Sequence, residues 1–509
     1  MGAGPNMAHG AVSHKTSVEN MAMRILFVKN KVGRDDTAFP SRMENEMGIY
    51  PPLGLCHMAA VARAAGHEVK ILDAAALDIP RVRLMEEIAA WRPNLIGFSL
   101  WTYSFRADMK LLGDIKAALP GVKFIVGGPH LDLYAAETME AHPLLDFAVI
   151  GEGEATFGEL LGALEKGGEL SAVQGLAFRK DGVPVVNPAR PMLKELDSLP
   201  YPAVDLLPLD NYFMIMARNS RAVNVITTRG CPFKCAYCVD QQFGRSVRYH
   251  SADYVIGYLR WLVYELGVKE IHFYDDTFTL HKKRVLEFCS KLTADEKLAK
   301  TPWTIRTRVD TIDEAMVDTL WNSGCYRIGF GVESGNQGIL DKMERGTTLE
   351  QIRRAFALTR KYPFEVMANF MIGYLDESRA TYRDTLNFAL ELDPDFVAFS
   401  TTRVEPNTPL YDETRERGLI SANDWRDYVL GKTPRVQRLN FLKGADYGIE
   451  DLKSMETWAY VRFYFRPKYI WRQLKRVKSA GMFQKKFKMA WAMIEDYFVS
   501  VYERLFRAA

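Results

Sequence analysis

The sequence predicts an α/β protein with three parts: a doubly wound parallel sheet, a partial barrel of six parallel strands, and a helical C-terminal region. Two series of short apolar runs, each suited to buried parallel strands, alternate with helical patterns before residue 150 and after residue 223. A Pro-rich stretch without periodicity separates the two series, and the pattern becomes all helical beyond residue 411. We therefore predict a first domain over residues 23–200, a linker to about 220, a barrel over 221–425 and a helical region over 426–509.

The composition is that of an ordinary globular protein. With 509 residues, 48% of them hydrophobic, the chain can form two or three domains with sizeable cores. Lys and Arg number 66 against 63 Asp and Glu, and this balance predicts no nucleic acid partner. Residues 1–22 lack the apolar core that a signal peptide or a membrane span needs, so we expect a disordered leader.

The first series of apolar runs predicts the doubly wound sheet. Such sheets bind ligands beyond the carboxyl ends of their strands. Here those ends carry two glycine turns, Gly127-Gly128-Pro129-His130 and Gly151-Glu152-Gly153-Glu154, which would let a bulky ligand approach the backbone. Tight turns without any ligand explain the same glycines equally well. The strand runs lie at residues 24–28, 67–72, 94–100, 122–126 and 147–150.

Three cysteines follow the first strand of the second series. Cys231, Cys235 and Cys238 have C-x3-C-x2-C spacing in a loop opened by Gly230, which suits three thiolates around one iron-sulfur cluster with a fourth iron left open. Zinc is the alternative, but it would need a fourth ligand, and neither His250 nor His272 shows paired spacing.

The other three cysteines are predicted to be core thiols. They are scattered through segments that read as helical or buried, and a cluster beside unpaired thiols suits a reducing cytoplasm. We therefore expect a cytoplasmic protein. These cysteines are Cys56, Cys289 and Cys325.

The second series predicts the barrel, with strands near residues 223–227, 270–274, 303–306, 327–331, 365–371 and 396–400. Active sites in such barrels lie at the C-terminal ends of the strands. Polar residues stand at those ends in three strands, namely Asp275 and Asp276, then Arg306 and Arg308, then Glu333 and Ser334, and a fourth strand ends in Ile372 and Gly373. The two aspartates are adjacent, so only one of them can point into the barrel from a regular strand.

These residues carry a resemblance to a known family. The cysteine spacing, with Tyr237 before the third cysteine, resembles the radical S-adenosylmethionine (SAM) superfamily. Residues 50–55 and 66–69, together with the two glycine turns, look like the cobalamin-binding domain that precedes the barrel in one subfamily. That subfamily includes methyltransferases and enzymes like the anaerobic Mg-protoporphyrin monomethyl ester cyclase. The resemblance covers about residues 23–425, and the chain lacks a D-x-H-x-x-G motif that would supply an imidazole to cobalt.

The resemblance implies three cofactors and their binding residues. It implies a 4Fe-4S cluster on Cys231, Cys235 and Cys238. It places SAM near Tyr237, Asp275, Asp276, Arg308, Glu333, Ser334, Ile372 and Gly373, and cobalamin near Gly127, Gly128, Gly151, Glu152 and Gly153. His130 is expected to be a hydrogen-bonding surface residue and not a cobalt ligand. No general acid or base is predicted.

The function that the resemblance implies is radical methylation. A 5′-deoxyadenosyl radical would abstract hydrogen from an unactivated carbon of a small molecule, which would then be methylated. The substrate would be an apolar lipid or tetrapyrrole, or another natural product. A flavodoxin-like or ferredoxin-like donor would supply the electrons. Two alternatives stay open: an oxidative cyclase that uses the same cofactors, and a non-catalytic protein that binds cobalamin or metal. Fold alone does not decide among them.

The C-terminal segment is basic and aromatic. Residues 462–509 hold twelve Lys and Arg against three acidic residues, with aromatics throughout. This composition suits peripheral contact with an anionic membrane. It also suits a helical cap that packs on the barrel and turns a basic face to solvent, and the sequence slightly favours this second interpretation.

Overall fold

A computed structural model describes residues 22–31, 48–214, 216–239, 244–420, 424–432 and 441–475, together with residues 491, 494–495 and 497–499. Nearly all of the predicted leader, and most of the basic segment beyond residue 475, lie outside these residues.

The N-terminal half is built on a seven-stranded sheet of order β3-β1-β4-β5-β6-β7-β8. The first five strands in this order are parallel, as predicted, and the hairpin of β7 and β8 extends the sheet in the antiparallel direction. The strands of this half are β1 (Arg24–Lys29), β2 (Gly48–Ile49, outside this sheet), β3 (Glu68–Asp73), β4 (Leu95–Ser99), β5 (Lys123–Gly127), β6 (Phe147–Val149), β7 (Leu176–Lys180) and β8 (Val183–Val186).

Helices cover both faces of this sheet. Alternate residues of β1 point to opposite sides, so Ile25 and Phe27 share a core with one pair of helices while Leu26 and Val28 face the other three. The prediction of a doubly wound sheet is confirmed. The first pair is α1 (Leu53–Ala64) and α5 (Gly153–Lys166), and the others are α2 (Arg81–Trp91), α3 (Phe105–Ala118) and α4 (Pro129–Ala141).

The second half is a curved sheet of six parallel strands in the order β10-β13-β14-β15-β16-β17, which confirms the predicted partial barrel. Two short antiparallel pairs accompany it: β11 with β12 beside the cysteine loop, and β2 with β9. The strands are β9 (Phe213–Met214), β10 (Ala222–Val225), β11 (Thr228–Arg229), β12 (Arg248–Tyr249), β13 (Glu270–Phe273), β14 (Trp303–Thr307), β15 (Cys325–Glu333), β16 (Glu365–Ile372) and β17 (Phe396–Thr401).

Helices on the outside of this sheet complete the barrel. One apolar core runs from the inner face of the N-terminal sheet through Ala203 and Val204 to β10, so the two halves are joined by packing as well as by the chain. The helices are α6 (Ala252–Arg260), α7 (Lys282–Thr293), α8 (Glu314–Asn322), α9 (Gln337–Lys342), α10 (Leu349–Thr359) and α11 (Arg379–Leu392).

One of the C-terminal helices covers the last barrel strand, and another packs against the N-terminal half. The hydroxyl of Tyr460 donates to the carbonyl of Phe399 at 3.1 Å and accepts from its N–H at 3.0 Å, and Tyr464 bonds Val397 in the same way. These bonds satisfy the free edge of β17. The helices are α12 (Pro409–Glu416), α13 (Asp424–Val429), α14 (Ile449–Tyr464) and α15 (Pro467–Lys475), and within the described residues no helix is long and apolar enough to span a membrane.

Candidate active site

The cysteine loop leaves the barrel between β11 and β12 and is fixed from two sides. Gly230 has φ +91°, which permits the sharp turn into the loop. The N–H of Cys231 then donates to the carbonyl of Gly244 at 3.2 Å, and the N–H of Ala236 donates to the carbonyl of Met343 at 2.9 Å. The loop is therefore held in place by its neighbours.

Asp275 anchors the start of this loop. Its carboxylate accepts hydrogen bonds from the Thr227 hydroxyl at 2.6 Å and from the backbone N–H groups of Thr227 and Thr228. Burial raises the pKa of Asp275, while the charge of Arg284 and these hydrogen bonds oppose that shift. Asp276, the next residue, lines the cavity described below. The two aspartates thus take opposite sides of the strand end, as strand alternation requires.

A cavity opens between the cysteine loop and the C-terminal ends of β13 to β16. All three predicted cluster cysteines line this cavity. Its lining combines residues from five elements. Two aromatic rings, Phe233 and Tyr237, lie beside them. The charged lining consists of Lys234, Arg245, Arg306, Arg308 and Arg345 with Asp276 and Glu333, and the remaining lining is formed by Thr277, Thr307, Gly329, Gly331 and Asn369.

The carboxylate of Glu333 lies deep in this cavity. It is 3.5 Å from the guanidinium of Arg345, and burial raises its pKa while the Arg345 charge and a hydrogen bond from Tyr237 oppose the shift. Glu333 has φ +69°, a conformation that non-glycine residues rarely adopt. A side chain at Gly331 would lie 2.4 Å from the Glu333 carboxylate and 2.6 Å from Arg345, so glycine is needed there.

The donor set fits an iron-sulfur cluster better than a single metal ion. Among the residues that the structure describes, no three His, Cys, Asp or Glu side chains converge on one ion. A cubane does not require this, because each thiolate binds a different iron. Two buried polar atoms around the loop also lack hydrogen-bond partners, the Thr277 hydroxyl and Nε of Arg345. Three thiols, two guanidinium groups and unused donors suit an anionic cluster that carries a further ligand.

The structure divides the predicted SAM residues into two groups. Tyr237, Asp276, Arg308 and Glu333 line the cavity. The others have different partners: Asp275 holds the loop, the Ser334 hydroxyl bonds Thr385 at 3.1 Å, and the Gly373 N–H donates to Glu377 at 2.7 Å, while Ile372 is fully buried. Contact of each residue with SAM stays a prediction.

Sequence reasoning missed part of this lining. Arg345 lies beyond α9 and reaches the cavity only because the loop folds back on the cysteines. Asn369 lies inside β16, where its amide donates to the carbonyl of Phe330 at 3.1 Å. The sequence places Arg306 near the end of β14 but not among the predicted SAM residues, and the strand ends one residue later, at Thr307.

The glycine turns of the N-terminal sheet lie at its carboxyl edge. Gly128 has φ +98°, and a side chain there would meet Ser99 and Leu100 at 2.7 to 2.8 Å. Gly151 has φ +75°, and its N–H donates to Asp132 at 2.7 Å. Two exposed aromatic residues, Trp101 and Tyr103, follow β4 at the same edge with ring centroids 5.6 Å apart. Gly127 and Gly153 belong to the same two turns, and their contact with cobalamin stays a prediction.

Glu152 and Glu154 bind the barrel. Glu152 accepts from Arg229 at 3.0 Å and from Arg248 at 2.7 Å, and Glu154 pairs with Arg229 as well. All four side chains are at most 10% exposed. Burial opposes ionisation of Glu154, but the charges of Arg229 and His57 outweigh it and lower its pKa to about 2. We call these four residues the interdomain clamp.

His130 lies in the core and not at the surface, so the expected surface position was wrong. Its ring stacks on Phe105 with centroids 4.3 Å apart, and its two nitrogens hydrogen-bond the hydroxyls of Thr102 and Thr138 at 3.0 and 2.9 Å. Burial lowers the pKa of His130 to about 3, and His142 adds to the shift. Both ring nitrogens bond hydroxyl groups; that His130 is not a cobalt ligand stays a prediction.

Two family descriptions match this chain. Residues 45–161 match a B12 binding domain and residues 225–389 match the radical SAM superfamily. The chain is 34% identical over 419 residues to an uncharacterized methyltransferase of Pyrococcus horikoshii, covering 82% of this chain and 88% of the relative. It is also 27% identical over 388 residues to the anaerobic magnesium-protoporphyrin IX monomethyl ester cyclase of Rubrivivax gelatinosus, covering 75% of this chain and 69% of that enzyme.

Solved structures share the fold. The radical SAM methyltransferase TsrM of Kitasatospora setae, with cobalamin and a 4Fe-4S cluster bound, matches with a TM-score of 0.63 at 20% identity over 78% of this chain and 75% of that chain. The cobalamin-dependent SAM radical enzyme OxsB, with aqua-cobalamin and SAM bound, matches with a TM-score of 0.70 at 18% identity over 94% of this chain and 72% of that chain.

These findings define the class of protein. The chain is a radical SAM enzyme with an N-terminal B12 binding domain. It belongs to the cobalamin-binding radical SAM family that contains methyltransferases and the Mg-protoporphyrin monomethyl ester cyclases, and its cofactors are a 4Fe-4S cluster, SAM and cobalamin. The predicted resemblance is confirmed.

Proposed function

We propose that this enzyme methylates an unactivated carbon of a small molecule that carries an anionic group. The observation that supports the proposal is one cavity in which three thiols, two acids and five cations meet at the ends of barrel strands. A relative that is 34% identical over 82% of this chain is described as an uncharacterized methyltransferase.

Each part of the chain has a role in this proposal. Cys231, Cys235 and Cys238 hold the cluster, and Asp276 and Glu333 accept hydrogen bonds from the ammonium and hydroxyl groups of SAM. Arg306 binds the SAM carboxylate, since its guanidinium rests on the Tyr274 ring at 4.0 Å and no ion pair to it is seen among the described residues. When bound, the three cofactors supply a carbon radical and a methyl group. The protein excludes water and aligns the reactants.

Cobalamin binds, in this proposal, at the carboxyl edge of the N-terminal sheet. The turns at Gly127, Gly128, Gly151 and Gly153 give the backbone access that a corrin ring needs. Glu152 is assigned a different role, because its carboxylate is already occupied by two arginines and the N–H of Leu193.

The cavity lining favours an anionic group on the substrate over a purely apolar one. Lys234 and Arg245 are exposed at its mouth, and no ion pair to either is found in the part of the chain that the structure describes. A phosphate, phosphonate or carboxylate would meet both charges. One relative, 29% identical over 377 residues, is described as a cytidylyl-2-hydroxyethylphosphonate methyltransferase of Streptomyces wedmorensis. An apolar lipid or tetrapyrrole substrate is the competing outcome.

The test is anaerobic reconstitution followed by mass spectrometry of the products. We expect 5′-deoxyadenosine and S-adenosylhomocysteine together, and a product heavier by one methyl group when fractionated polar extracts are supplied. Labelled SAM should transfer its methyl group to that product. Formation of 5′-deoxyadenosine without S-adenosylhomocysteine, with a dehydrogenated or cyclised product, would support the oxidative cyclase instead. Activity confined to lipid extracts would overturn the anionic substrate.

We also propose that a membrane contact, if the substrate requires one, uses the exposed face of α15. Arg466, Lys468 and Arg472 pair with Asp393 and so anchor this helix to the barrel. Trp471, 62% exposed, and Leu474, 48% exposed, project into solvent from the same helix. Co-sedimentation with anionic vesicles at low salt should fall as salt rises and should weaken in Trp471→Ser but not in Trp101→Ser, which alters a distant exposed tryptophan. Equal sedimentation with neutral vesicles contradicts the contact.

A further inference from the structure

Two arginines share one of the cluster thiols. Nη1 of Arg345 lies 3.4 Å from Sγ of Cys235, and Nη1 of Arg308 lies 3.7 Å from the same sulfur. Both distances suit an N–H···S hydrogen bond, and Cys235 is only 8% exposed. One buried sulfur atom therefore receives two positively charged donors from different segments of the barrel.

Both guanidinium groups are held in this position by other bonds. Arg308 donates to Asp310 at 2.9 and 2.8 Å and to the carbonyl of Arg345 at 2.8 Å. It also stacks on Phe233, with 3.6 Å between the guanidinium carbon and the ring centre. Arg345 donates to the carbonyl of Gly331 at 2.9 Å. Arg308 cannot leave the thiol without breaking three hydrogen bonds. Arg345 is held by its bond to Gly331 and its ion pair with Glu333, so both donors are preorganised.

Such donors change the reduction of a cluster. Hydrogen bonds and positive charge at a ligating sulfur stabilise the more negative, reduced state and raise the reduction potential. The reaction needs this state, since a cluster held by the three cysteines would require one electron from an external flavodoxin-like or ferredoxin-like donor before SAM could be cleaved. No proton enters this step, and the donor loses the electron that the cluster gains.

We propose that Arg308 and Arg345 are positioning residues that set the reduction potential of the cluster through Cys235. The inference rests on the proposed binding of the cluster by Cys231, Cys235 and Cys238. Arg345 has the larger share, because its Nη1 is the closer donor, at 3.4 Å from the sulfur against 3.7 Å for Arg308. The two arginines together keep the cluster reducible by a biological donor.

The test measures the cluster potential by anaerobic redox titration without SAM, followed by electron paramagnetic resonance. Arg345→Gln and Arg308→Gln should each shift the midpoint to a more negative value, with the larger shift for Arg345→Gln. Arg345→Lys keeps the charge but loses the forked donor, and we expect a smaller shift in the same direction. Arg306→Gln is the matched control. It removes a cation from the same cavity and the same strand region without touching the thiol, so its midpoint should equal that of the wild type.

The possible results distinguish a failure of this inference from a failure of the proposed cluster site. Wild-type protein without iron, sulfide or a cluster absorption band would refute the site itself. With the cluster present, unchanged midpoints in both Gln variants would overturn the inference. Equal shifts in Arg306→Gln would also overturn it, because they would reflect the general charge of the cavity. Loss of the cluster in all three variants at Arg308 and Arg345 would assign these residues to loop structure instead.

Discussion

The two parallel sheets place charged residues at equivalent positions and use them differently. At the carboxyl ends of the barrel strands, Asp276 and Glu333 face one cavity with the cysteines. At the carboxyl end of β6 in the N-terminal sheet, Glu152 and Glu154 bind Arg229 and Arg248 of the barrel. The strand ends of the barrel thus line the candidate active site, whereas the strand end at β6 attaches the N-terminal sheet to the barrel. Arg229 directly precedes the cysteine loop, so the clamp joins the B12 binding half to the cluster loop.

The largest effect is expected at the cysteines of the barrel half. Replacing Cys235 with Ala leaves two thiolates, too few to hold a cubane, and should reduce iron and sulfide from about four per chain to near zero. SAM cleavage should be lost completely. Cys289→Ala is the control, because that thiol is buried and away from the cavity. Full iron content in Cys235→Ala would contradict the assignment.

The second effect concerns the clamp. Arg229→Met removes the cation between two buried carboxylates and should lower the free energy of unfolding by about 3–5 kcal/mol. Urea unfolding of the apo protein measures this. Arg353→Met breaks the exposed pair with Glu391 and serves as the control, with a change of at most about 1 kcal/mol because solvent screens that pair. Similar changes in the two variants would mean that the clamp does not join the halves.

Sequence patterns predicted the sheets more completely than the clamp. Apolar periodicity is a local property, and the strand ends that it located carry the cavity residues Asp276 and Glu333. The pairing of Arg229 with Glu152 joins residues 77 positions apart, and no local pattern connects them. The sequence also left both aspartates as SAM candidates, since alternation says that they face opposite sides but not which one faces inward. The backbone N–H groups that donate hydrogen bonds to Asp275 could be identified only in the folded loop.

A third prediction concerns His130 in the N-terminal half and the dependence of the free energy of unfolding on pH. The pKa of His130 is about 3 in the folded protein, below the value near 6.5 of an exposed histidine. As the pH falls below about 6.5 the unfolded chain binds this proton first, so the free energy of unfolding should decrease by up to about 1.4 kcal/mol per pH unit until the pH nears 3. Above pH 6.5 this residue adds no slope.

His130→Gln tests that prediction by urea unfolding between pH 4.5 and 7.5. The variant should be less stable at neutral pH, because a buried ring that bonds two threonines is replaced, but its stability should fall less steeply with acid. His281→Gln, at an exposed site, should keep the wild-type slope. An unchanged slope in His130→Gln would show that His130 is not the source of the acid sensitivity.

The smallest effect is expected at the edge of the barrel. Tyr464→Phe removes the hydroxyl that bonds both backbone groups of Val397 and should cost about 1 to 2 kcal/mol in the free energy of unfolding. Tyr264→Phe removes a hydroxyl bonded to Asp295 at an exposed position and should cost less. A larger loss for Tyr264→Phe would argue against α14 as the cover of the sheet edge.

We assign to the three cysteines a cluster that leaves one iron open for SAM. Mössbauer spectroscopy of protein reconstituted with iron-57 tests this assignment most directly. We expect one iron site distinct from the other three, and a change in that site alone when SAM is added. Four equivalent irons, or a spectrum that SAM does not alter, would contradict it.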